Sequence, residues 1–375
     1  MAVSIKGSSE LWSLEDSLEE LAQLAKTAGA VVVSSLTQKL TEPSHTHYLG
    51  KGKLEELIAL KHNTNYNVVI VDDELTPQQQ RTLEEALKVK VIDRAALILD
   101  IFARRAKTRE GQLQVELAQH QYLLPRLAGQ WSHLDRLGGG IGTRGPGESE
   151  IETDRRLIRQ KISRLKDQIE QVRKHRQLYR QKRQKSGIPL IAIVGYTNAG
   201  KSALFNALTR ADVFVEDKPF ATLDPTTRRL TLPDTDAVLI TDTVGFIRKL
   251  PPIIVTAFRA TLEELDEANI LLHVVDVASR NAAEQHHEVE KILVELNLSG
   301  KPIITALNKI DLLLSSEKVL SEREVMAFLS DRRLSPDEKN TVLISATKGW
   351  GLNKLLELIG QNLPQKAPLY LAPQQ

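Results

Sequence analysis

Hydrophobic and polar positions in the first hundred residues alternate between helical spacing and short apolar runs. Helical spacing predicts three helices: SLEDSLEELAQLAKTAG from Ser13, GKLEELIALKHN from Gly52 and TPQQQRTLEEALK from Thr76. The continuous apolar runs AVVVSSL from Ala30 and NVVIVDD from Asn67 predict buried strands between them. Ser13 and Ser17 have the spacing of helix capping boxes. This alternation predicts a small α/β subdomain.

From Leu113 onward, the apolar residues follow a heptad-like pattern without strands. They lie on both sides of a glycine-rich stretch, LGGGIGTRGPGESE, which runs from Leu137 to Glu150. Such spacing is typical of a coiled-coil seam, so we predict a long antiparallel helical hairpin with the glycine loop at or near its tip and a kink at Pro125. The predicted seam positions are Leu113, Leu117, Leu124, Leu127, Ile158, Ile162, Leu165, Ile169 and Val172.

The second half of the chain returns to an α/β pattern. Its apolar strand candidates are PLIAIVG from Pro189, AVLITDTVG from Ala237, ILLHVVDV from Ile270, PIITALNK from Pro302 and TVLISAT from Thr341. Near-continuous apolar strands separated by helical stretches predict a mostly parallel, doubly wound sheet that binds ligands at the carboxyl ends of its strands. We predict an amino-terminal subdomain over 1–111, a basic hairpin over 112–187, this α/β domain over 188–364 and a tail over 365–375.

Composition narrows the class of protein. The 375 residues contain no cysteine, which excludes disulfides, thiolate metal sites and cysteine nucleophiles. No run of about 18 apolar residues and no signal-peptide pattern occurs, so we expect a cytoplasmic protein without a membrane span. The net charge is +2, but residues 151–187 hold thirteen Lys and Arg against four Asp and Glu. This local excess predicts a polyanionic partner, the alternative being a solvated helix face.

The segment GYTNAGKS matches the phosphate-binding loop G-x-x-x-x-G-K-[ST], with its defining residues at Gly195, Gly200, Lys201 and Ser202. It follows a predicted strand and opens a predicted helix, as the mechanism requires. Backbone amides would surround the β-phosphate, Lys201 would reach the β and γ oxygens, and the Ser202 hydroxyl would bind Mg²⁺.

Three further motifs select the base and the triphosphate. In NKID, the carboxylate of Asp311 can accept hydrogen bonds from N1 and the 2-amino group of guanine, and adenine offers neither donor. In SAT, a backbone amide between Ser345 and Thr347 can meet guanine O6. DTVG, from Asp242 to Gly245, supplies a carboxylate to the magnesium shell and an amide for the γ-phosphate. Together these motifs predict a guanine-nucleotide site.

The remaining magnesium ligand should be a threonine of DKPFATLDPTTRR, where Thr222, Thr226 and Thr227 are all candidates by chemistry. A threonine that binds Mg²⁺ only beside a γ-phosphate makes such a domain a switch. Where many small GTPases have a glutamine directly after DxxG, this chain has Phe246. An aromatic ring neither holds nor deprotonates water, so we expect slow intrinsic hydrolysis that a partner accelerates.

Two glycine-containing loops are candidate RNA contacts: LGGGIGTRGPGESE, and YLGKGK from Tyr48 to Lys53. Glycine allows close backbone approach, and nearby cations can meet phosphates. For YLGKGK, the start of a basic helix is an equally good interpretation. The histidine pairs at 45 and 47 and at 286 and 287 do not have the spacing of a metal site. The candidate RNA contacts are Arg136, Gly138, Gly140, Arg144, Gly147, Lys51 and Lys53.

The chain resembles the HflX family of translational GTPases, within the Obg-HflX group. The resemblance lies in DDELTPQQQRTLE from Asp72, VIDRAALILDIFARRAKTREGQLQVELAQHQYLLPRL from Val91, GGGIGTRGPGESEIETDRR from Gly138, GYTNAGKSALFNALT from Gly195, FATLDPTTRRL from Phe220 and DTVGFIRKLP from Asp242. It implies a GTPase that binds the large (50S) ribosomal subunit and its rRNA and acts in ribosome rescue, recycling or biogenesis.

The resemblance also places the triphosphate-sensing threonine at Thr222, so the predicted catalytic residues are Lys201, Thr222 and Gly245, and the metal ligands are Ser202 and Thr222. Two other functions remain open: a tRNA-modifying GTPase, and a regulatory switch whose coiled coil binds a protein effector. We expect a monomer away from the ribosome. The predicted GTP-binding residues are Gly195, Tyr196, Thr197, Asn198, Ala199, Gly200, Lys201, Ser202, Phe220, Ala221, Thr222, Leu223, Asp224, Asp242, Thr243, Val244, Gly245, Asn308, Lys309, Ile310, Asp311, Ser345, Ala346 and Thr347.

Overall fold

The computed structural model describes residues 1–5, 12–127, 146–185, 187–209, 218–233, 237–257, 259–313 and 339–363. The chain divides into two compact units. The first comprises Met1–Lys182, Glu216–Asp224 and Ile247–Thr261, and the second comprises Arg183–Val215, Pro225–Phe246 and Leu262–Gln375. The four-part division expected from the sequence stays a prediction.

The first unit begins as an α/β subdomain. Its elements are β1 (Ala2–Ile5), α1 (Leu14–Thr27), β2 (Thr37–Leu40), α2 (Lys51–Thr64), β3 (Val68–Val71), α3 (Pro77–Leu87), β4 (Lys90–Asp93) and α4 (Arg94–Arg105). Strands β1 and β2 pair in parallel, as do β3 and β4. The Ser13 side chain caps α1, whereas Ser17 lies buried inside that helix, and Thr76 and Gln79 form the capping box of α3.

The predicted strand at Ala30 was wrong. Residues 30–36 have no regular secondary structure, Val31 is 86% exposed, and β2 begins only at Thr37. β-branched residues favour a strand only where a neighbouring strand completes the hydrogen bonds, and β1 pairs with 37–40 instead. Here the local preference of the valines is overridden by the available pairing.

Two long helices follow, α5 (Arg109–Leu123) and α6 (Pro146–Lys185), and they form the predicted antiparallel pair. Leu113 and Leu117 of α5 pack with Leu165, and Ile162, Ile169 and Val172 complete this seam. Ion pairs flank it: Lys161 with Glu116 at 2.7 Å and Arg176 with Glu110 at 2.9 Å. Helix α5 ends before Pro125, so the predicted kink is instead a helix end.

The predicted tip loop is described only at its carboxyl end. Helix α6 already begins at Pro146, so 146–150 are helical where a loop was expected. Proline is well suited to a first helical position because its missing N–H has no partner there in any case. The rest of the loop lies outside the described residues.

A buried ion-pair network stabilises the first unit. The Arg94 side chain, 2% exposed, donates to Asp72 at 2.8 Å and also pairs with Glu20. Lys249 donates to the second oxygen of Asp72 at 2.9 Å and pairs with Asp73. Asp72 is 1% exposed, so its charge is compensated by cations on both sides rather than by water.

The second unit is an α/β fold around a six-stranded sheet. Its elements are β5 (Leu190–Gly195), α7 (Lys201–Thr209), β6 (Thr226–Leu230), β7 (Val238–Asp242), β8 (Ile270–Asp276), α10 (Ala282–Glu295), β9 (Ile303–Asn308), β10 (Thr341–Leu343) and α11 (Leu352–Asn362). Between β7 and β8 the chain forms two short helices, α8 (Pro252–Ala257) and α9 (Arg259–Glu267). Helix α8 lies in the first unit.

The strand order β10-β9-β8-β5-β7-β6 is parallel except for the pair of β6 with β7. The order reverses at β5, which lies between β7 and β8. Ligands of open α/β sheets bind outside the carboxyl ends of the strands at such a reversal. The segment after β5 therefore occupies the position that the motif requires. Strand β6 was not predicted, because its TTRRL sequence lacks an apolar run and pairs only at the sheet edge.

Candidate guanine-nucleotide site

The phosphate-binding loop connects β5 to α7 through Gly195 and Gly200. All six residues of β5 are buried, which fixes the start of the loop in the sheet. Gly195 has φ +151°, and a β-carbon there would lie 2.3 Å from the Val274 carbonyl oxygen of β8. A side chain at this position would collide with backbone, so the first glycine of the motif is required by the neighbouring strand.

Lys201 is buried with its ammonium group directed into the loop. It donates to the carbonyl oxygens of Tyr196 at 2.7 Å and of Gly195 at 3.1 Å. Burial lowers the pKa of Lys201 to about 8, with Asp242 acting to raise it and Lys309 to lower it. The cation is held inside the loop by carbonyls, which are weaker partners than the phosphate predicted to bind there.

Ser202 and Asp242 meet at the adjoining strand ends. The Ser202 hydroxyl donates to the Asp242 carboxylate at 2.7 Å, and Asp242 is fully buried. A hydroxyl and a carboxylate side by side are the oxygen ligands that Mg²⁺ prefers, directly or through water. The sequence prediction placed these residues in one magnesium shell, and the fold brings them together.

The segment after β7 runs beside the phosphate-binding loop. Thr197 N–H donates to the Phe246 carbonyl at 2.8 Å, and Phe246 N–H donates to the Gly195 carbonyl at 3.0 Å. A β-carbon at Gly245 would lie 2.8 Å from the Thr197 Cα. Gly245 thus packs closely against the phosphate-binding loop, and its contact with the γ-phosphate stays a prediction. Phe246 is 4% exposed and presents an apolar ring.

Asn308 joins two parts of the site. Its amide nitrogen donates to the Ala199 carbonyl at 2.9 Å, and its amide oxygen accepts from Ala346 N–H at 3.0 Å. A β-carbon at Gly200 would lie 2.3 Å from that amide nitrogen, so the second glycine makes room for Asn308. The asparagine of NKID thereby ties the phosphate-binding loop to the SAT segment.

The predicted base-reading residues lie together at the ends of β9 and β10. Asp311 is half-buried, and Thr347 Oγ1 lies 3.5 Å from its carboxylate. Ser345 is fully buried; its hydroxyl lies 3.2 Å from that of Thr347 and accepts from Lys348 N–H at 3.1 Å. This arrangement fixes the SAT backbone beside the carboxylate of Asp311, and recognition of guanine by the two stays a prediction.

Sequence reasoning missed Asp276, which ends β8. Its carboxylate accepts from the Lys309 ammonium at 2.8 Å and holds the lysine of NKID at the edge of the site. The signal was available, since Asp276 ends a buried strand next to the strand that ends in Asn308. Parallel strand ends converge at one edge of the sheet, so polar residues there belong to one site.

The three threonine candidates separate in the fold. Thr226 and Thr227 begin β6, where the Thr227 hydroxyl lies 3.1 Å from that of Thr241. Thr222 lies in the segment 218–224, which belongs to the first unit. The choice of Thr222, and its convergence with Ser202 on one magnesium ion, stay predictions.

The RNA-contact candidates are only partly described. Lys51 and Lys53 open α2, where Lys53 pairs with Glu56 at 2.8 Å, so the basic-helix interpretation of YLGKGK accounts for both. Gly147 lies in the first turn of α6. Arg136, Gly138, Gly140 and Arg144 lie outside the described residues, and their role stays a prediction.

Two histidines stack beside the sheet, His273 buried and His286 half-buried. His273 of β8 and His286 of α10 stack with ring centroids 4.8 Å apart and planes 6° from parallel. Within the described part of the chain, His273 Nε2 and His286 Nδ1 have no hydrogen-bond partner. Burial, then His286 and Lys201, hold the pKa of His273 well below 6.5. His273 is therefore a neutral part of the core.

Family models match successive parts of the chain. They are described as "GTP-binding GTPase N-terminal" over residues 15–103, "GTP-binding GTPase Middle Region" over 105–183, "50S ribosome-binding GTPase" over 190–309 and "Elongation factor Tu GTP binding domain" over 258–365. None of the helices in the described ranges combines the length and apolar content needed to cross a bilayer.

Individual relatives match nearly the whole chain. GTPase HflX of Caldanaerobacter subterraneus is 52% identical over 93% of this chain and 77% of its own length. GTPase HflX of Escherichia coli is 42% identical over 96% of this chain and 83% of its own length. A GTP-binding protein of Sulfolobus solfataricus, solved with GDP, is 26% identical and covers 96% of this chain and 97% of its own at a TM-score of 0.47, too low to transfer site geometry. The family models and these identities show that the chain is a P-loop GTPase and belongs to the GTPase HflX family.

Proposed function

We propose that this GTPase binds the large ribosomal subunit through its basic helix and acts in ribosome recycling, rescue or biogenesis. The observation that carries the proposal is a cationic side of α6, supported by the family model for 50S ribosome-binding GTPases over 190–309. The protein would be cytoplasmic and monomeric away from the ribosome.

The cationic side of α6 consists of Arg156, Arg159, Lys166 and Lys174. All four are exposed, and none forms an ion pair within the described residues. At 100° per residue they lie between about 100° and 180° around the helix from Leu165, the buried seam residue, in a sector that also contains the exposed Glu170, and they extend over roughly 27 Å of helix. Lys161 and Arg176, by contrast, pair with α5. Four unpaired cations in one row fit a phosphate backbone.

The catalytic part of the proposal involves Mg²⁺ and a triphosphate switch. Ser202 and Asp242 would hold the ion, which would neutralise charge between the β- and γ-phosphates when bound. Lys201 would exchange its carbonyl partners for phosphate oxygens, and Thr222 would join the site only in the triphosphate state. Phe246 leaves the attacking water without a polar side chain at that position, so we propose that ribosome binding supplies the missing positioning.

The test is cosedimentation of the protein with purified large subunits in the presence of a nonhydrolysable GTP analogue or GDP. Replacing Arg156, Arg159, Lys166 and Lys174 by glutamine should weaken binding and make it less dependent on salt, because fewer counterions are released. A matched control replaces the exposed Lys26, Lys90, Lys291 and Lys354 by glutamine. If both variants lost the same affinity for large subunits, the effect would come from net charge alone. That result would contradict the assignment of ribosome binding to α6.

Two other outcomes would favour other functions. Dimerisation through α5 and α6, with binding to large subunits absent, would indicate a switch with a protein effector. Binding to free tRNA, rather than to subunits, would indicate a tRNA-directed GTPase.

A further inference from the structure

Segment 218–224, which contains Thr222, is packed within the first unit by anchors on both sides of this threonine. Phe220 stands two residues before Thr222 and Asp224 two residues after it. Both anchors contact the corner between α4 and α5. This packing bears on the proposed role of Thr222.

Asp224 is fixed to the amino-terminal end of α5. Its Oδ2 accepts from the backbone N–H groups of Lys107 and Thr108, both at 2.8 Å. Its Oδ1 accepts from the Thr108 hydroxyl, which also accepts from Gly111 N–H at 3.0 Å and so caps the helix. Hydrogen bonds from backbone amides to a carboxylate are charge-assisted and stronger than neutral ones.

Gly111 provides independent support for this contact. A β-carbon at Gly111 would lie 2.3 Å from Asp224 Oδ1, so no other residue fits while Asp224 holds its place. Glycine within a helix is less favourable than alanine by roughly 1 kcal/mol. The first turn of α5 thus carries an unfavourable residue at the point where the carboxylate of Asp224 approaches.

Phe220 is the second anchor. It has φ +58° and is 2% exposed, and its ring meets that of Phe102 in α4 edge to face with centroids 4.9 Å apart. A non-glycine residue in the left-handed region is disfavoured by roughly 1 kcal/mol. Burial of the ring against Phe102 offsets this strain. The backbone at Thr222, with only one residue between it and each anchor, has little freedom left.

We propose that Asp224 is a positioning residue for Thr222: through Thr108 and Gly111, the α4–α5 corner fixes the backbone conformation of segment 218–224, on which the proposed sensing of the γ-phosphate by Thr222 depends. The inference rests on the proposed role of Thr222 in binding Mg²⁺. A loop already ordered by these contacts loses less conformational entropy when it closes on a triphosphate. Nucleotide discrimination would thus depend on Thr108 and Gly111, which lie outside the predicted set of GTP-binding residues.

The test measures affinities for fluorescent GDP and a fluorescent nonhydrolysable GTP analogue in the full chain with Mg²⁺. Asp224→Ala should lower the ratio of triphosphate affinity to GDP affinity roughly tenfold, within the usual range of coupling between sites. Gly111→Ala keeps the carboxylate but displaces it, so it should have the same effect. The double variant should lose no more of the triphosphate preference than either single variant, because both substitutions disrupt the same contact between Asp224 and Gly111.

Asp100→Ala is the matched control, since it removes an exposed carboxylate of α4 that pairs with Arg104. A purely structural role of Asp224 predicts lower stability with an unchanged ratio of the two affinities, and that result would overturn the inference. Tighter triphosphate binding by Asp224→Ala would overturn it too, because Asp224 would then hold Thr222 away.

The variant Thr222→Ala distinguishes a failure of the positioning inference from a failure of the proposed role of Thr222. If it lowers triphosphate affinity while Asp224→Ala and Gly111→Ala do not, the positioning inference alone is wrong. If Thr222→Ala leaves the triphosphate preference intact, the proposed role of Thr222 fails and the inference falls with it.

Discussion

The ammonium of Lys201 donates to the carbonyl oxygen of Tyr196 at 2.7 Å within the phosphate-binding loop. The same lysine is predicted to bind the β- and γ-phosphates. Carbonyl dipoles and the nearby carboxylate of Asp242 stabilise its charge, but burial dominates and lowers its pKa to about 8. Phosphate binding restores a full anionic partner and so favours the protonated lysine.

We predict that GDP affinity falls as the pH rises through about 8. Below that pH, Lys201 is protonated in both states and contributes no pH dependence. Above it, binding takes up a proton, and affinity should fall by up to about tenfold per pH unit. Equilibrium binding of fluorescent GDP between about pH 7 and pH 9 measures this. Lys201→Arg should bind more weakly with a flatter profile, and a flat profile in the unmodified protein would contradict the prediction.

Asp311→Asn should weaken GTP binding by about tenfold or more, because the new amide cannot accept both guanine hydrogen bonds and a buried donor is left unpaired. The same variant should gain affinity for xanthosine triphosphate, whose 2-oxygen accepts from the amide. Competition binding with both nucleotides measures the change. Asp276→Asn is a neighbouring control that should keep the guanine preference. Unchanged GTP affinity in Asp311→Asn would exclude Asp311 as the base reader.

Large ribosomal subunits should accelerate GTP hydrolysis, because Phe246 offers the attacking water no polar group. Positioning by a partner contributes roughly 10³ to 10⁵ in rate in other GTPases, so a partial effect is easily measured. Single-turnover phosphate release, with and without subunits, is the assay, and small subunits are the control. Equal rates under all three conditions would show that this chain positions its own water.

His273→Leu should reduce the acid sensitivity of the second unit. The neutral imidazole is favoured in the folded state, so stability from this residue is complete above the unfolded pKa of about 6.5. Below it, the unfolded chain takes up a proton, and stability falls by up to about 1.4 kcal/mol per pH unit until the lower folded pKa is reached. Thermal unfolding between about pH 7.5 and pH 5.5 measures this slope. Exposed His62→Gln is the control, and identical slopes in both variants would refute the assignment.

Arg94→Met should destabilise the first unit by about 3 kcal/mol or more, because Asp72 and Glu20 would keep buried charges without this cation. Denaturant unfolding followed by hydrogen exchange in α1 and α4 reports on that unit. Arg81→Met is the matched control, since its exposed ion pair with Glu85 contributes only a few tenths of a kcal/mol. If Arg94→Met lowered the free energy of unfolding no more than Arg81→Met does, Lys249 alone would balance the charge of Asp72.

The phosphate-binding loop, the NKID and SAT segments and the apolar strands were predictable because each depends on local sequence. The motif requires glycine at 195 and 200, and burial on both faces requires apolar strands. The hairpin seam was predictable for the same reason. Apolar residues recur at heptad-like spacing within each helix, as at Leu113 in α5 and Leu165 in α6.

Other features depend on pairing across the chain. Ala30–Leu36 has strand propensity but no strand partner, whereas Thr226–Leu230 lacks an apolar run and forms the edge strand because β7 is available. The contacts of Asp224 with Thr108 and of Asn308 with Ala199 join residues more than a hundred positions apart. No local pattern contains that information, so such contacts emerge only from the folded chain.

The hydrogen bonds of Asn308 have a consequence for the thermodynamics of nucleotide binding. They hold the phosphate-binding loop and the SAT segment in one fixed arrangement. A nucleotide that binds both segments, as predicted, would lose less conformational entropy in ordering them.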